Sequence, residues 1–340
     1  MPSRLAAAEI DAWRTMQGES VGLQRGFFSP GFAEACEAAG MRARVGVIRG
    51  GEGIEAFFPF QYRDALHESI GLADRIGGHL SDASGIVARP GFRIGPATLL
   101  RLCGIAAMHV DCLMDNQPAF GLDGYRWESC CVTDIGAGSQ AYFDGLRQRN
   151  LDFVRDTERS LRRVNRDFGE AKVHISRNPP KDVIDRMVAR KREQYRRTGV
   201  GDALASGARL LEAIGPAEDC CLHHAALEAG GRILAEHLGL LYRDVLSYWF
   251  PVYDPAIRAV SPGRLLLWEL IRASEQAGLR LIDFGEGEAQ YKQRFSTGSI
   301  RVGKAAWSAG NARAFAARAL QSAQWRLQKR SASAQSSGQE

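Results

Sequence analysis

The pattern of apolar and polar positions in the first half of the chain predicts mixed α/β structure. A helical pattern spans residues 32–39, after the pair Ser29-Pro30 and before a glycine, which are residues that commonly begin and end helices. Two apolar runs, 44–48 and 54–60, flank a glycine-rich turn and therefore predict a β-hairpin. The glycine-rich stretch 76–95 predicts loops that join further strands.

The second half has a clearer pattern. It begins with a linker-like patch at 136–139, which leads into a predicted long basic helix over 141–168. A second amphipathic helix covers 181–198, with Ile184, Met187, Val188, Lys191 and Tyr195 on one stripe and Gly199 at its end. Three strands are then predicted, at 220–227, 233–242 and 245–253, followed by a helix at 264–277, a strand at 279–284 and a short helix at 288–295.

Both halves share an order of helix, glycine-turned hairpin and further strands. The pattern predicts an α/β (α+β) chain with one domain at 1–145, a second at 146–310, and a C-terminal helix and tail at 311–340. Each domain is expected to have its own mixed sheet. The Ser/Gln-rich end of the tail, 331–340, is predicted to be disordered.

The composition is that of a globular protein. The 340 residues are 45% hydrophobic and 24% charged, and the net charge of +5 does not by itself indicate a nucleic-acid partner. The sequence holds no apolar run of about 18 residues, so no membrane span is expected, and its first residues lack the apolar core of a signal peptide. The seven cysteines form no C-x-x-C pair, which favours a reducing, cytoplasmic location.

One short run combines possible metal ligands, namely Cys220, Cys221, His223 and His224. Neighbouring residues on a strand point to opposite faces, so at most one of these cysteines and one of these histidines share a face. Ordinary strand packing is the favoured interpretation, and no metal is expected.

The strongest local unit is a β-α-β unit built from strand 245–253, helix 264–277 and strand 279–284. The two strands are expected to be parallel. The helix begins at Ser261-Pro262-Gly263, where free backbone N–H groups, Gly263 and the charge of Arg264 could hold an anion such as a phosphate. An ordinary capped helix fits the same residues. The helix is apolar on nearly all sides, which predicts that it is buried between layers.

Glu236 and His237 are candidate proton acceptors on strand 233–242. Because they are adjacent on a strand, only one of them can face a site. Histidine titrates near neutral pH and suits an amine nucleophile that must lose a proton. The alternative is an edge strand with solvated polar residues.

Residues 155–197 form a basic tract with 14 basic and 7 acidic residues, a net charge of +7. Such a tract could bind nucleic acid, a phosphorylated sugar donor or an anionic membrane surface. Solvated helix faces with ion pairs between successive turns are the alternative.

Taken in order, these motifs resemble the CelD-like, FemAB-related branch of the GNAT acyltransferase superfamily. The resemblance rests on 191–199, on Ala235–Leu238 after a glycine-turned hairpin, and on Tyr253-Asp254-Pro255 ahead of 261–263. It also rests on Asp283-Phe284-Gly285 with Tyr291-Lys292. The match is best over 150–300, with a looser one over 27–90 that includes Leu80-Ser81-Asp82.

The resemblance implies tandem GNAT-like domains, each with a mixed, mostly antiparallel sheet flanked by helices. It also implies an enzyme that transfers an acyl group from acyl-CoA, most simply acetyl-CoA, as co-substrate. The acyl-CoA would lie along strand 245–253, with Val252 and Tyr253 in contact, and backbone N–H groups of that strand would polarise the thioester carbonyl. Its pyrophosphate would lie at Ser261, Gly263, Arg264 and Leu265.

The resemblance also suggests roles in the chemical step. Tyr291 matches the tyrosine that commonly protonates the leaving thiolate, and Glu236 or His237 would act as the base. Four residues are expected to bind the acceptor substrate: Tyr195, Asp254, Asp283 and Lys292. The family's usual pyrophosphate loop, R/Q-x-x-G-x-G/A, is absent, and residues 258–263 retain a single glycine.

The expected function is N-acylation of a small-molecule amine, an amino sugar or nucleotide-sugar of envelope or exopolysaccharide biosynthesis. One alternative is a FemAB-type, aminoacyl-tRNA-dependent transferase that forms an amide, in which the basic tract would hold tRNA. Another is a non-catalytic GNAT-like subunit of an envelope polysaccharide assembly complex. The sequence does not determine the oligomeric state.

Overall fold

The computed structural model describes residues 1–51, 53–115, 117, 125–199, 201–215, 219–287, 290–317 and 319. In this part of the chain the helices are α1 Ala7–Glu19, α2 Pro30–Ala38, α3 Ala65–Ile70, α4 Pro96–Leu102, α5 Ser139–Arg149, α6 Leu151–Phe168, α7 Lys181–Thr198, α8 Leu204–Ala213, α9 Pro262–Arg272, α10 Ser274–Ala277 and α11 Gln290–Phe295. The strands are β1 Arg42–Gly50, β2 Gly53–Tyr62, β3 Leu72–Arg75, β4 Val87–Ala88, β5 Ala107–Met114, β6 Arg126–Asp134, β7 Lys172–Arg177, β8 Cys221–Ala229, β9 Arg232–Tyr242, β10 Val245–Tyr253, β11 Leu281–Glu286 and β12 Gly298–Ser308.

Among the described residues these strands form one 12-stranded sheet with the order β1-β2-β3-β5-β12-β6-β11-β10-β9-β8-β7, and β4 pairs with β2. All neighbours are antiparallel except β3–β5 and β10–β11. The predicted class, a mixed and mostly antiparallel sheet flanked by helices, is confirmed. The expectation of two separate sheets is wrong, because the late strand β12 pairs with both β5 and β6 and so joins the halves edge to edge.

Most predicted local elements are confirmed. Helix α2 begins where the Ser29 hydroxyl accepts a hydrogen bond from the Phe32 N–H, and α7 ends at Gly199, which adopts the left-handed conformation. The hairpin β1–β2 and strands β8 to β10 lie where they were predicted. The run of cysteines and histidines lies at the start of β8, as expected for strand packing.

Two predicted helices are each divided in the structure. The predicted helix 141–168 breaks at Asn150, whose side chain accepts a hydrogen bond from Phe153 N–H and caps a new helix. The predicted helix 264–277 starts earlier, at Pro262, and is interrupted at Ala273. The predicted disordered tail 331–340 and the C-terminal helix beyond residue 319 lie outside the described residues, as do the first two residues of the predicted helix 288–295.

Helix α9 is buried, as its apolar surface predicts. Leu266 and Ile271 have no exposed surface, and the helix packs on β8, β9 and β10. Its N-terminus is thereby fixed against the sheet. No helix among the described residues is both long enough and apolar enough to span a membrane.

Candidate active site

A gap between two parallel strands defines the candidate site. Strands β10 and β11 pair only from Val245 to Ser247, after which β10 follows β9 and β11 follows β6. The register of the β9–β10 pair shifts between Ser247 and Phe250, so that β10 carries an irregularity where the gap opens. The parallel strands of the predicted β-α-β unit are thus confirmed, and they separate toward the start of α9.

This gap leads into a pocket of about 510 Å³. Its walls come from β10, α7, α11, the N-terminus of α9 and one residue of α6. Aromatic and cationic side chains dominate the lining, which consists of Phe153, Lys191, Gln194, Tyr248, Pro251, Tyr253, Arg258, Ser261, Pro262, Gly263, Arg264, Gln290, Tyr291 and Arg294. The pocket therefore suits a ligand that is both apolar and anionic.

The N-terminus of α9 forms one side of the pocket. Ser261 adopts the left-handed conformation at φ 53°, and its hydroxyl makes no capping hydrogen bond. Its carbonyl accepts from the N–H groups of Arg264 at 2.9 Å and Leu265 at 3.2 Å, whereas the N–H of Gly263 has no partner among the described residues. A free N–H at a helix N-terminus, with no side chain over it, is a suitable contact for a phosphate oxygen.

The charges at this end of the pocket differ in their availability. Arg264 pairs with Asp156 at 3.0 Å and donates to the Ser160 hydroxyl at 2.9 Å, so its charge is partly neutralised. Arg258 and Arg294 are exposed and have no carboxylate partner within the described chain. Leu265 is fully buried and offers no side-chain contact. The free positive charge therefore lies on Arg258 and Arg294, which sequence reasoning missed.

Tyr291 lies on α11 and lines the pocket, where it faces the elements predicted to hold the acyl-CoA. Its ring packs edge-on against Phe284 with the ring centroids 6.4 Å apart. Burial raises the pKa of the Tyr291 phenol to about 12. The phenol therefore stays protonated near neutral pH and can donate a hydrogen bond to a group in the pocket.

Glu236 does not line the pocket. Its side chain is fully buried between Arg186, Arg190 and His224, and Arg186 Nη2 donates to it at 2.7 Å. Burial alone would raise the pKa of Glu236, but hydrogen bonds from His224 and Arg186 and the charges of both arginines lower it to about 2. A carboxylate held in this way is a weak base, so the geometry favours a structural role for Glu236.

His237 is also fully buried and outside the pocket lining. Its Nε2 accepts a hydrogen bond from the Trp249 N–H at 3.1 Å, and its ring stacks on Tyr248 with centroids 3.9 Å apart. Burial, with the nearby His223, lowers the pKa of His237 well below its usual range. Because Nε2 is occupied, this ring is better placed to hold the irregular part of β10 than to accept a proton from substrate.

The other residues predicted on β10 and α7 are divided between two places. Tyr253 lines the pocket, while Val252 and Asp254 lie along a neighbouring groove of about 450 Å³. Asp254 pairs with Arg232 and caps the following turn through the Ala256 N–H. Tyr195 lines neither the pocket nor the groove, and its ring centroid lies 5.1 Å from the Lys191 ammonium.

The remaining two residues, Asp283 on β11 and Lys292 on α11, lie on successive elements. Asp283 is buried and accepts hydrogen bonds from Arg25 Nε and from the Gly285 N–H, so both of its oxygens are occupied. Lys292 Nζ donates to the carbonyls of Phe284 at 2.8 Å and Glu286 at 2.9 Å. The Lys292 bonds tie α11 to the last residues of β11, and Lys292 keeps one ammonium hydrogen for another partner.

Two further residues were not assigned a role from the sequence. Lys191 is nearly buried and lines the pocket, and the signal for it was a lysine at an apolar position of an amphipathic helix. Asp82 lies against Gly285, where an added Cβ would come within 2.7 Å of its carboxylate oxygen. Burial and the charge of Asp283 raise the pKa of Asp82 to about 7, so this carboxyl can exchange a proton near neutral pH.

Comparison with known proteins agrees with this geometry. Residues 153–293 match the model of the acetyltransferase (GNAT) domain family, and this segment includes every pocket-lining residue but Arg294. No curated protein sequence matches the chain.

Among solved structures the chain is similar to FemX, with a TM-score of 0.57, 10% identity, and coverage of 88% of this chain and 95% of that one. It is also similar to a conserved protein of unknown function from Bacteroides thetaiotaomicron VPI-5482, with a TM-score of 0.55, 12% identity and coverage of 89% and 98%. A third is the C-terminal domain of a putative lysylphosphatidylglycerol synthetase from Agrobacterium fabrum, with a TM-score of 0.52, 15% identity and coverage of 94% and 96%. At these identities the likeness shows a shared fold. Residues 153–293 therefore form an acetyltransferase (GNAT) domain, which makes the protein an acyltransferase.

Proposed function

We propose that this acyltransferase moves an acyl group from acyl-CoA to the amine of an amino sugar or nucleotide-sugar used in envelope or exopolysaccharide biosynthesis. Acetyl-CoA is the simplest donor. The observation that carries the proposal is the 510 Å³ pocket beside β10, which opens at a helix N-terminus with an unpartnered Gly263 N–H and two unpaired arginines. A pantetheine arm suits the aromatic interior, and a pyrophosphate suits the cationic end.

The chemistry assigned to the site has few parts. Ser261, Gly263 and the exposed arginines Arg258 and Arg294 hold the phosphates. Tyr291 gives a proton to the leaving thiolate, which its protonated state near neutral pH allows. Neither Glu236 nor His237 lines the pocket, so we assign removal of the amine proton to water.

The basic tract lends little support to a tRNA donor. Ion pairs with nearby carboxylates engage many of its cations, for example Arg163 with Asp167 and Arg192 with Asp202. Paired surface charges of this kind are typical of solvated helix faces. The seven cysteines are free thiols, which fits the reducing cytoplasm where we place the reaction.

Ligand-dependent thermal unfolding, followed by calorimetric titration, tests the donor. Acetyl-CoA, longer acyl-CoAs and free CoA are each added at about 100 times the dissociation constant, which should stabilise the fold by about 2.7 kcal/mol. We expect stabilisation by CoA compounds and none by aminoacyl-tRNA. Stabilisation by aminoacyl-tRNA alone would refute the CoA proposal, and no response to either would favour a non-catalytic subunit.

A further inference from the structure

Lys191 is a buried cation in the pocket with no acidic partner. It lies on the buried stripe of α7 with 8% of its surface exposed, and it lines the pocket that we assign to acyl-CoA. Its Nζ donates to the Pro251 carbonyl at 3.0 Å, and no carboxylate of the described residues lies within ion-pairing distance. Burial lowers the pKa of Lys191 to about 8. A buried ammonium without a counter-charge is costly unless a ligand supplies the negative charge.

Strand β10 offers few backbone donors to the gap beside this lysine. The N–H of Asp254 donates to the carbonyl of Leu234 on β9. Val252 and Phe250, two and four residues earlier, therefore also direct their backbone groups toward β9. Because alternate residues of an antiparallel strand point to the same neighbour, the backbone groups of Pro251 and Tyr253 face the gap.

At Pro251, the gap-facing position that contacts Lys191, the usual donor is missing. Pro251 has no N–H, and its carbonyl already accepts from Lys191. Closer to the irregular part of the strand, the Trp249 N–H is taken by His237. The expectation that backbone N–H groups of β10 polarise the acyl carbonyl therefore finds no donor at either 249 or 251.

We propose that the Lys191 ammonium takes the place of these backbone donors and stabilises the oxyanion that forms on the acyl carbonyl. The inference rests on the proposed function, because it takes the donor to be an acyl-CoA lying along β10. The ammonium has three hydrogens. Pro251 uses one, the Gln194 side chain lies at a marginal 3.5 Å, and at least one can point into the pocket.

The proposed transfer forms a C–N bond and breaks the thioester C–S bond. The amine nitrogen attacks the thioester carbon, a C–N bond forms, and the electron pair of the C=O bond moves to oxygen, which accepts a hydrogen bond from Lys191. The C=O bond then re-forms, the C–S bond breaks, and the thiolate leaves with the electron pair. The thiolate takes a proton from Tyr291, which solvent reprotonates, and the amine loses a proton to water. A buried cation held by the Pro251 carbonyl is well suited to this charge, since it needs little reorganisation.

Two substitutions test the role of Lys191. Lys191→Met removes the charge but keeps an unbranched apolar chain that fits a buried position, and Lys191→Arg restores the charge. Lys181→Met, an exposed lysine on the first turn of the same helix, is the matched control. Thermal unfolding confirms that each variant is folded.

Two measurements separate catalysis from structure. We expect Lys191→Met to lower kcat by about 10²–10³-fold with little change in KM, the range seen when one oxyanion donor is removed. Lys191→Arg should recover part of the loss. The carbonyl stretch of bound, ¹³C-labelled acyl-CoA, read by difference infrared spectroscopy, should lie at lower frequency in the wild type than in Lys191→Met.

Each outcome decides a different point. If acyl-CoA binds and the carbonyl frequency and kcat are the same in Lys191→Met, the oxyanion role is refuted while the proposed function stands. If acyl-CoA does not bind the wild-type chain, the proposed function fails and this inference falls with it. A loss of kcat equal to that of Lys181→Met would also refute the role.

Discussion

Replacement of Gly263 by valine should weaken acyl-CoA binding without disturbing the fold. Gly263 has ordinary helical geometry, and a Cβ added there would meet only the Tyr253 ring, at 4.0 Å. The branched side chain would therefore fit without a clash, and it would stand in the pocket next to the unpartnered N–H. Valine is also a better helix former than glycine, so α9 should still begin at Pro262.

The size of the effect follows from the hydrogen bond that is lost. A hydrogen bond from a backbone N–H to a charged phosphate oxygen contributes about 1.5–3 kcal/mol. Removal of this one contact should raise the dissociation constant of CoA by about 10- to 150-fold. A larger rise in the dissociation constant would mean that the valine side chain also displaces the pantetheine arm.

Calorimetric titration of CoA and acetyl-CoA into both proteins measures this effect. Gly145→Val in α5 is a suitable control, because that glycine is also helical and its added Cβ would meet only the flexible end of Arg149. Equal melting temperatures establish that the variants are folded. An unchanged CoA affinity in a folded Gly263→Val protein would refute the anion site at the start of α9.

Three other substitutions test separate parts of the site. Tyr291→Phe should lower kcat by about 10²–10⁴-fold with a small change in KM, since its proton is needed only in the transition state; a loss below threefold in steady-state kinetics would remove it from the mechanism. Glu236→Gln should lower the free energy of unfolding by roughly 3 kcal/mol at pH 7. Because the pKa of Glu236 is lowered in the folded state, to about 2, its contribution is complete above its ordinary pKa of 4.5. It is lost as pH falls toward 2, so denaturant titrations of the variant should show a flatter pH dependence there; an equal dependence would contradict this. Gly239→Ala would place a Cβ 2.5 Å from the Ser247 carbonyl oxygen and His237 Cε1, and should reduce stability by about 1–3 kcal/mol by chemical denaturation; a neutral result would mean that β10 adjusts freely.

Local signals predicted the elements that build the site. The helix of residues 181–198 has an apolar stripe and a terminal glycine, and strand 245–253 was placed at its observed bounds. The β-α-β unit was predicted for the same reason, because Ser261-Pro262-Gly263 marks the start of its helix between two clear strands. These predictions needed only contacts between residues close along the chain.

Contacts between distant residues could not be predicted in this way. The insertion of β12 between β5 and β6 leaves no local trace, and a break at Asn150 looks like continuous helix because the apolar period hardly changes. Glu236 was predicted to be a possible base because it is a polar residue on a strand. In the structure, Arg186 and Arg190 reach it from helix α7 and form ion pairs with it. The cations that lower the pKa of Glu236 come from another helix. Nothing in the sequence of the strand indicates that they are there.

The missing glycines of the pyrophosphate loop are compatible with the proposed anion site. In the family pattern, glycines allow the chain to adopt unusual backbone angles and to approach a phosphate closely. Here Ser261 itself adopts the left-handed conformation, at a cost of about 1–2 kcal/mol for a residue with a Cβ. The turn of residues 255–260 ends at Ser261. The one glycine that remains, Gly263, is the residue whose N–H has no partner among the described residues. The loop thus keeps a glycine where a ligand would approach, and replaces glycine where only the backbone angle matters. That division explains how a departure from the sequence pattern is compatible with the same chemistry.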